Sequence, residues 1–149
     1  MKSKVKPIPK GYHTVTPYLL VKGTAKLIDF LKRAFDAKVF DRMEGPGGKI
    51  AHATVRIGDS MVMMGEAHGK WKAMPAMVYL YVKNVDATYK QALRAGAKSV
   101  MKPADQFWGD RHGGVLDACG NQWWISTHIE NVSPAEVKRR GEAYMKQKK

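Results

Sequence analysis

Five histidines are the side chains of this sequence best suited to acid–base or metal chemistry. No two of them form an HxH, HxxxH or HExxH pattern, so the sequence contains no local zinc motif. His52 alternates with Thr54 and Arg56, which predicts a polar strand face from which the imidazole could reach a binding cavity. A hydrogen-bonded structural histidine is the alternative at this position, and we favour it. His13 and His128 are interpreted as structural residues at strand ends.

The other reactive side chains offer few catalytic candidates. Glu66 follows a predicted strand and could act as a ligand or a base at the rim of a cavity. The adjacent Asp110 and Arg111 could fix a turn by ion pairing, or they could present their charges to a ligand. Both interpretations stay open. Cys119 lies at a predicted turn without a His or Lys motif that would activate its thiol. We therefore predict no catalytic residue.

Aromatic residues at alternating strand positions give a more informative pattern. Strand alternation places Thr16, Tyr18 and Leu20 on one face, and Met77, Tyr79 and Tyr81 on the corresponding face of a second strand. Such a wall suits stacking against a flat ligand, with the tyrosine hydroxyls giving direction. Ordinary core filling is the other interpretation, and both stay open.

The elements that position these residues are predicted to occur twice. The run Tyr18–Lys22 returns sixty-one residues later as Tyr79–Lys83, and the same offset aligns Arg33-Ala34 with Arg94-Ala95. Together with Val39 and Val100, the offset gives seven identities. The sequence therefore predicts two homologous halves.

Each half has the pattern of one strand, one helix and three strands. In the first half we predict a strand over 13–21, a helix from Gly23-Thr24, and strands Lys38–Met43, Lys49–Ile57 and Ser60–Met64. In the second half we predict strand Met77–Lys83, a helix capped by Asn84 and ended by Gly96, and strands Lys98–Lys102, Gly114–Asp117 and Gln122–Thr127. Ser133 to Glu136 forms a capping box that predicts a last helix to about Met145.

Composition and charge limit the class of protein. The chain has 149 residues, which fits one domain, and a single cysteine, which fits the reducing cytoplasm. No apolar run is long enough to span a bilayer, so no membrane partner is expected. The net charge of +13 is concentrated in residues 1–10 and 138–149, which leaves +4 on the rest. Specific nucleic-acid binding is not expected, because no base-reading motif accompanies this charge.

Several motifs in this order resemble the vicinal-oxygen-chelate superfamily (glyoxalase, bleomycin resistance protein and dioxygenase), and more closely its PhnB-like branch. The resemblance covers about residues 11–132. The segments that carry it are Gly11–Leu19, Ala25–Phe35, His52–Ala53, Ile57–Ser60, Gln106–Arg111, Gly114–Val115, Asp117, Gly120–Asn121 and Trp123–His128.

The resemblance implies an α+β fold in which two βαβββ repeats, 12–66 and 75–128, form a half-open mixed β-barrel. A basic arm over 1–10 would precede this domain, and a basic helix and tail over 133–149 would follow it. Members of the family usually pair, so the resemblance implies a homodimer.

The metal positions of the family carry residues unsuited to a metal. By alignment these positions fall at Thr16, Met63 or Met64, Met77 and Trp124, and none of them is His, Asp or Glu. Thioether and indole groups do not replace the oxygen or imidazole ligands of a divalent ion. We therefore expect no metal and no cofactor.

The resulting expectation is a metal-free binder of a small, partly aromatic organic molecule in the barrel cavity. The expected ligand-binding residues are Thr16, Tyr18, His52, Met63, Met77, Tyr79, Phe107, Trp108 and Trp124. One alternative is a lyase, isomerase or dioxygenase of the same superfamily with a displaced site, or a cofactor-free enzyme that uses His52 and Glu66. Another is interaction with an anionic surface or nucleic acid through the basic termini.

Overall fold

The computed structural model describes residues 4–148 and contains two βαβββ repeats followed by a helix. The first repeat comprises β1 (Tyr18–Val21), α1 (Thr24–Phe35), β2 (Lys38–Glu44), β3 (Ile50–Ile57) and β4 (Ser60–Glu66). The second repeat comprises β5 (Met77–Tyr81), α2 (Val85–Arg94), β6 (Lys98–Asp105), β7 (Asp110–Leu116) and β8 (Gln122–His128). The last helix is α3 (Pro134–Gln147). The fold prediction is confirmed.

Each repeat forms one open, mixed sheet of four strands. The strand orders are β1-β4-β3-β2 and β5-β8-β7-β6, with the first pair of each sheet parallel and the other pairs antiparallel. The chain divides into two compact units, the second of which comprises Met77–Asp117 and the chain from Asn121 onward. Ala118–Gly120 belongs to the first unit. The predicted boundaries of the arm, the domain and the tail stay predictions.

One face of each sheet is covered by the helix of the same repeat. In the first unit α1 buries Leu27, Leu31 and Ala34 beside the inward-facing residues of its sheet. In the second unit α2 buries Val85, Tyr89 and Ala92 in the same way. The sheet residues buried on these faces include Leu19, Val21, Val55, Met64, Val115, Trp123 and Ile125. The strand residues that alternate with them project from the opposite face of each sheet.

The last strand of each repeat also caps its helix. Gly23 and Thr24 begin α1 and donate their backbone N–H groups to the Glu66 carboxylate at 2.9 and 3.0 Å. At the same place in the second repeat, Val85 N–H donates to Thr127 Oγ1 at 2.9 Å. The predicted cap by Asn84 is confirmed, since its side chain accepts from Ala87 N–H at 3.1 Å. Both Glu66 oxygens therefore serve α1.

The first strand is shorter than predicted. It begins at Tyr18 and not at residue 13, because Pro17 has no N–H with which to extend the ladder. The carbonyl of Pro17 still accepts from Met63 N–H at 2.9 Å. β6, which was predicted to end at Lys102, continues past Pro103 to Asp105. β6 is an edge strand, where a proline is tolerated.

The last helix begins as the capping box predicts. Ser133 Oγ accepts from Glu136 N–H at 3.2 Å, and Pro134 occupies the first helical turn. The Glu136 carboxylate then pairs with Arg139 and Arg140. Within residues 4–148, no helix combines the length and the apolar character that crossing a bilayer would require. Residues 1–3 of the basic arm and Lys149 of the tail lie outside the described residues.

Candidate functional site

Three strands of the second sheet bring polar and aromatic side chains to the face opposite α2. Tyr79 pairs with Trp124, and Tyr81 pairs with Ser126, which in turn pairs with His112. Partners in register project from the same side of a sheet. We call this surface the aromatic face; it comprises Tyr79, Tyr81, Asp110, His112, Trp124 and Ser126, with Trp108 from the β6–β7 connection.

Asp110 lies at the centre of the hydrogen bonds on this face. The residue is only 2% exposed. Oδ2 accepts from Tyr79 Oη at 3.0 Å, from Tyr81 Oη at 2.9 Å and from Trp108 Nε1 at 3.0 Å. Oδ1 lies 2.9 Å from His128 Nδ1. This buried carboxylate is thus saturated by donors, as a buried charge must be.

These hydrogen bonds shift the pKa values of the groups that share them. Burial alone would raise the pKa of Asp110, but the bonds from His128, Tyr81, Tyr79 and Trp108 outweigh it and hold that pKa below its usual range. The bond to Asp110 raises the pKa of Tyr81 to about 12. Burial and the neighbouring Asp110 raise the pKa of Tyr79. At neutral pH the face therefore carries one carboxylate and two neutral phenols.

His112 joins this network to the aromatic rings. Its Nδ1 lies 3.1 Å from Tyr79 Oη, which also lies 3.1 Å from Ser126 Oγ. The imidazole centroid lies 5.1 Å from Trp108 and 5.0 Å from Trp124. Burial lowers the pKa of His112, although Asp110 opposes the shift. The imidazole is therefore neutral near pH 7.

Trp124 lies over a glycine. A Cβ atom added at Gly114 would lie 3.0 Å from three carbons of the Trp124 ring, so the absence of a side chain makes room for the indole. The indole N–H donates to Gln122 Oε1 at 3.0 Å. The contact with Gly114 and the hydrogen bond to Gln122 thus hold the Trp124 ring beside His112 and Tyr79.

The last helix supports the β6–β7 connection. The Phe107 ring contacts Trp108 and Tyr144 at centroid distances of 5.0 and 5.4 Å, and the carbonyl of Phe107 accepts from Arg140 at 3.2 Å. A Cβ at Gly141 would lie 3.2 Å from the Phe107 ring. Phe107 therefore links α3 to Trp108, and a ligand-facing role for it stays a prediction.

His128 and Arg111 flank the site with different partners. The Asp110 and Asn131 side chains raise the pKa of His128, whose two ring nitrogens each lie 2.9 Å from an oxygen of these residues. Arg111 makes a two-bond ion pair with Asp86 on α2 and a further bond to Asp105. Of the two roles left open for Arg111, the structure supports the structural one, although it ties a helix to a strand instead of fixing a turn.

The first sheet contains a smaller version of this arrangement. Tyr18 Oη lies 3.2 Å from His52 Nδ1, and Thr54 Oγ1 lies 3.3 Å from His52 Nε2. Met63 pairs with both Tyr18 and Thr54, whereas Met64 is buried on the other side. Of the two methionines aligned with a family metal position, Met63 therefore shares the face of Tyr18 and His52.

The predicted aromatic wall is exposed. Tyr18 is 50% exposed, Tyr79 41% and Tyr81 64%. Met77 is exposed and Thr16 is half-buried in the segment before β1. Of the two interpretations of this wall, core filling does not describe the three tyrosines. The assignment of the nine residues as ligand-binding stays a prediction.

A divalent metal does not fit the positions that hold one in the wider family. A threonine hydroxyl, two thioethers and an indole are a poor donor set for such an ion. In the part of the chain from residue 4 to 148, no group of three or more His, Cys, Asp and Glu side chains is arranged to hold a metal.

Asp110 and His112 were not predicted to be neighbours of Tyr79. The strand predicted to begin at Gly114 begins at Asp110 as β7 and includes both residues. One signal could have found His112, because it stands sixty residues after His52, close to the repeat offset. Glu66, considered as a base, is instead occupied as the cap of α1.

Comparison with known proteins agrees with this architecture. The family model of the Glyoxalase/Bleomycin resistance protein/Dioxygenase superfamily matches residues 12–125. The uncharacterized protein Rv0887c of Mycobacterium tuberculosis is 37% identical over 134 residues, covering 83% of this chain and 79% of its own. A relative from Mycobacterium bovis is also 37% identical, over 83% of this chain and 88% of its own.

Solved structures show the same fold at lower identity. TioX from Micromonospora sp. ML1 has a TM-score of 0.68 and 24% identity, covering 78% of this chain and 99% of that one. The PhnB protein of Bacillus cereus has a TM-score of 0.61 and 17% identity, covering 77% and 99%. At these identities the likeness concerns the fold and not the ligand. With its paired βαβββ repeats and the match over residues 12–125, the chain belongs to the glyoxalase/bleomycin resistance protein/dioxygenase superfamily.

Proposed function

We propose that this protein binds a small, partly aromatic organic molecule on the aromatic face and holds it without a metal. The observation that carries the proposal is the set of exposed rings around a saturated, buried Asp110. Aromatic rings left open to water beside a rigid polar network are suited to stacking against a flat ligand.

The network supports binding because it fixes the rings in advance. Tyr79 and Tyr81 are both held by Asp110, and their centroids lie 5.3 Å apart. Trp124 is seated over Gly114. A preorganised site loses less side-chain entropy when the ligand arrives, so more of the contact energy remains as affinity.

The hydrogen bonds that the Asp110 and Glu66 carboxylates already accept support binding without catalysis. Both oxygens of Asp110 accept hydrogen bonds, and both oxygens of Glu66 cap α1. A general base must reach the proton that it removes. The proposed mechanism is therefore affinity and shape, with no bond made or broken.

Calorimetric titration with indole and quinoline tests the proposal. We expect both probes to bind the wild-type protein at millimolar concentration and to lose most of their affinity for Trp124→Ala. Trp71→Ala is the matched control, since Trp71 is an exposed tryptophan of the first unit outside the aromatic face. Absence of heat with either probe, or equal loss in both variants, would overturn the proposal.

We place this binding in the cytoplasm and in a homodimer. The single cysteine suits a reducing compartment. All seven residues of β2, an edge strand of the first sheet, are exposed, and they include Phe40 and Met43. An exposed edge strand with apolar side chains favours pairing with another chain.

A further inference from the structure

The proton positions around Asp110 determine which atom His112 presents to a ligand. The Tyr79 hydroxyl has one proton, and its neighbours include Asp110 Oδ2, His112 Nδ1 and Ser126 Oγ. An indole N–H can only donate, and Trp108 donates to the same Oδ2 atom. That oxygen is therefore an acceptor, and Tyr79 must give its single proton to it.

The tautomer of His112 follows from this assignment. Because the Tyr79 proton points to Asp110, the 3.1 Å contact with His112 is a hydrogen bond only if Nδ1 carries the proton and donates. Ser126 can donate to the second lone pair of the same phenol oxygen at 3.1 Å. In a neutral imidazole with Nδ1 protonated, Nε2 carries a lone pair.

This Nε2 atom has no hydrogen-bond partner within residues 4–148 of the chain. The His112 side chain is 9% exposed, and its contacts are the Tyr79 hydroxyl and the rings of Tyr79, Trp108 and Trp124. Nε2 is not among the fully buried, unpaired polar atoms of the described residues, so part of its surface is accessible. A largely buried acceptor of this kind favours a donor brought by a ligand.

We propose that the molecule bound on the aromatic face is an aromatic compound whose edge carries an N–H or O–H donor, and that this donor bonds His112 Nε2. The inference rests on the proposed function and names the chemical class of the ligand. Ligands with a carboxylate or phosphate at that edge are disfavoured, because the lone pair of Nε2 and the charge of Asp110 lie on the same face.

The tautomer can be tested without any ligand. In ¹⁵N-labelled protein near neutral pH, we expect the His112 ring to show a pyrrole-type Nδ1 and a pyridine-type Nε2. Asp110→Asn removes the fixed acceptor and Tyr79→Phe removes the phenol, so both variants should shift the ring towards the Nε2–H tautomer. A pyridine-type Nδ1 in the wild-type protein would overturn the inference.

The ligand class is tested by moving one methyl group on the probe. We expect the wild-type protein to bind 3-methylindole up to about tenfold more tightly than 1-methylindole, since one hydrogen bond contributes at most about 1.4 kcal/mol. His112→Phe should bind the two probes equally, and His112→Gln, which keeps an acceptor, should retain part of the preference. Both probes carry the same added methyl, so size is matched.

The outcomes separate the two proposals. If 1-methylindole and 3-methylindole bind the wild-type protein with equal affinity and Trp124→Ala weakens both, the donor requirement is wrong and the proposed function stands. If neither probe binds the wild-type protein, the proposed function itself is wrong. A preference for 3-methylindole that His112→Phe leaves intact would assign the acceptor to another residue and overturn the inference.

Discussion

Loss of the Asp110 carboxylate should destabilise the second unit. Asp110→Asn keeps the shape but replaces an acceptor-only group by an amide, so at least one of the four donors loses its partner. We expect the free energy of unfolding to fall by about 2 kcal/mol. Urea denaturation measures the loss. Asp59→Asn, at an exposed aspartate of the first unit, is the control and should change stability little.

The Asp110–His128 pair makes stability depend on pH in two opposite ways. The pKa of Asp110 is lowered in the folded protein, so its contribution is present above the unfolded value of about 3.9 and is lost as pH falls through the lower native value. The pKa of His128 is raised, so its contribution is present below the unfolded value of about 6.5 and is lost as pH rises through the native one.

A comparison of wild-type protein with His128→Gln isolates the histidine. The wild-type advantage in unfolding free energy should be larger near pH 5 than near pH 9. Denaturation curves at the two pH values measure it. An advantage that does not change with pH would show that His128 contributes no charge-dependent bond to Asp110.

At the residue scale, the sequence predicted the rings better than the polar groups. Strand alternation located Tyr18 and Tyr79 because side-chain direction follows directly from sequence position. The partners of Asp110 come from two strands and a connection, and that convergence depends on register. Register depends on the long-range pairing of β7, which begins at Asp110 and not at the predicted Gly114.

At the scale of elements, the two helix caps should behave as equivalents. Glu66→Ala removes the acceptor of the first amides of α1, and Thr127→Ala removes that of Val85 N–H in α2. We expect each change to cost about 1 kcal/mol. Amide hydrogen exchange should accelerate in the first turn of α1 only for Glu66→Ala, and in that of α2 only for Thr127→Ala. Acceleration in the wrong helix would contradict the assignment.

The position of the Trp124 indole should require a glycine at residue 114. Gly114→Ala places a methyl group 3.0 Å from the Trp124 ring, and we expect a cost of about 1–3 kcal/mol. The same substitution made in Trp124→Ala protein should cost much less, because the methyl then has room. Urea denaturation measures the four proteins of this double-mutant cycle. An equal loss of unfolding free energy from Gly114→Ala in the wild-type protein and in Trp124→Ala would contradict the interpretation.

Element order was predictable because each repeat shows its own periodicity and turn residues. Two boundaries that differ from the prediction involve a proline on an edge strand, and a third is the start of β7 at Asp110 instead of Gly114. Pro17 delays β1 to Tyr18, whereas Pro103 interrupts β6 without ending it. Both strands lie at a sheet edge, and the local sequence around a proline does not reveal whether its missing N–H falls on the paired or the open side of the strand.

For the whole molecule, the proposed pairing of two chains has a direct test. Size-exclusion chromatography with light scattering should give twice the monomer mass of 16.7 kDa. Phe40→Lys on the exposed edge strand β2 should shift the mass towards the monomer, because a charge there opposes burial. Val5→Lys, at another exposed apolar residue, is the control. A wild-type monomer at high concentration would overturn the homodimer.

The positive charge of the last helix is partly neutralised within the chain. Arg139 pairs with Glu136, and Arg140 pairs with both Glu130 and Glu136. These pairs leave less free charge for an anionic partner than the composition alone indicates. The expectation of no specific nucleic-acid binding stays a prediction.

A Tyr–His pair occurs in both sheets, so each molecule contains two histidines that can be compared with each other. Tyr18–His52 and Tyr79–His112 have similar contact lengths, 3.2 and 3.1 Å, but β7 begins with Asp110 where β3 begins with the buried Ile50. A single labelled sample therefore reports one imidazole with a carboxylate behind its phenol and one without. The difference between the two signals in the same spectrum compares the carboxylate behind the Tyr79 phenol with the Asp41 carboxylate, whose Oδ1 lies 3.7 Å from His52 Nε2.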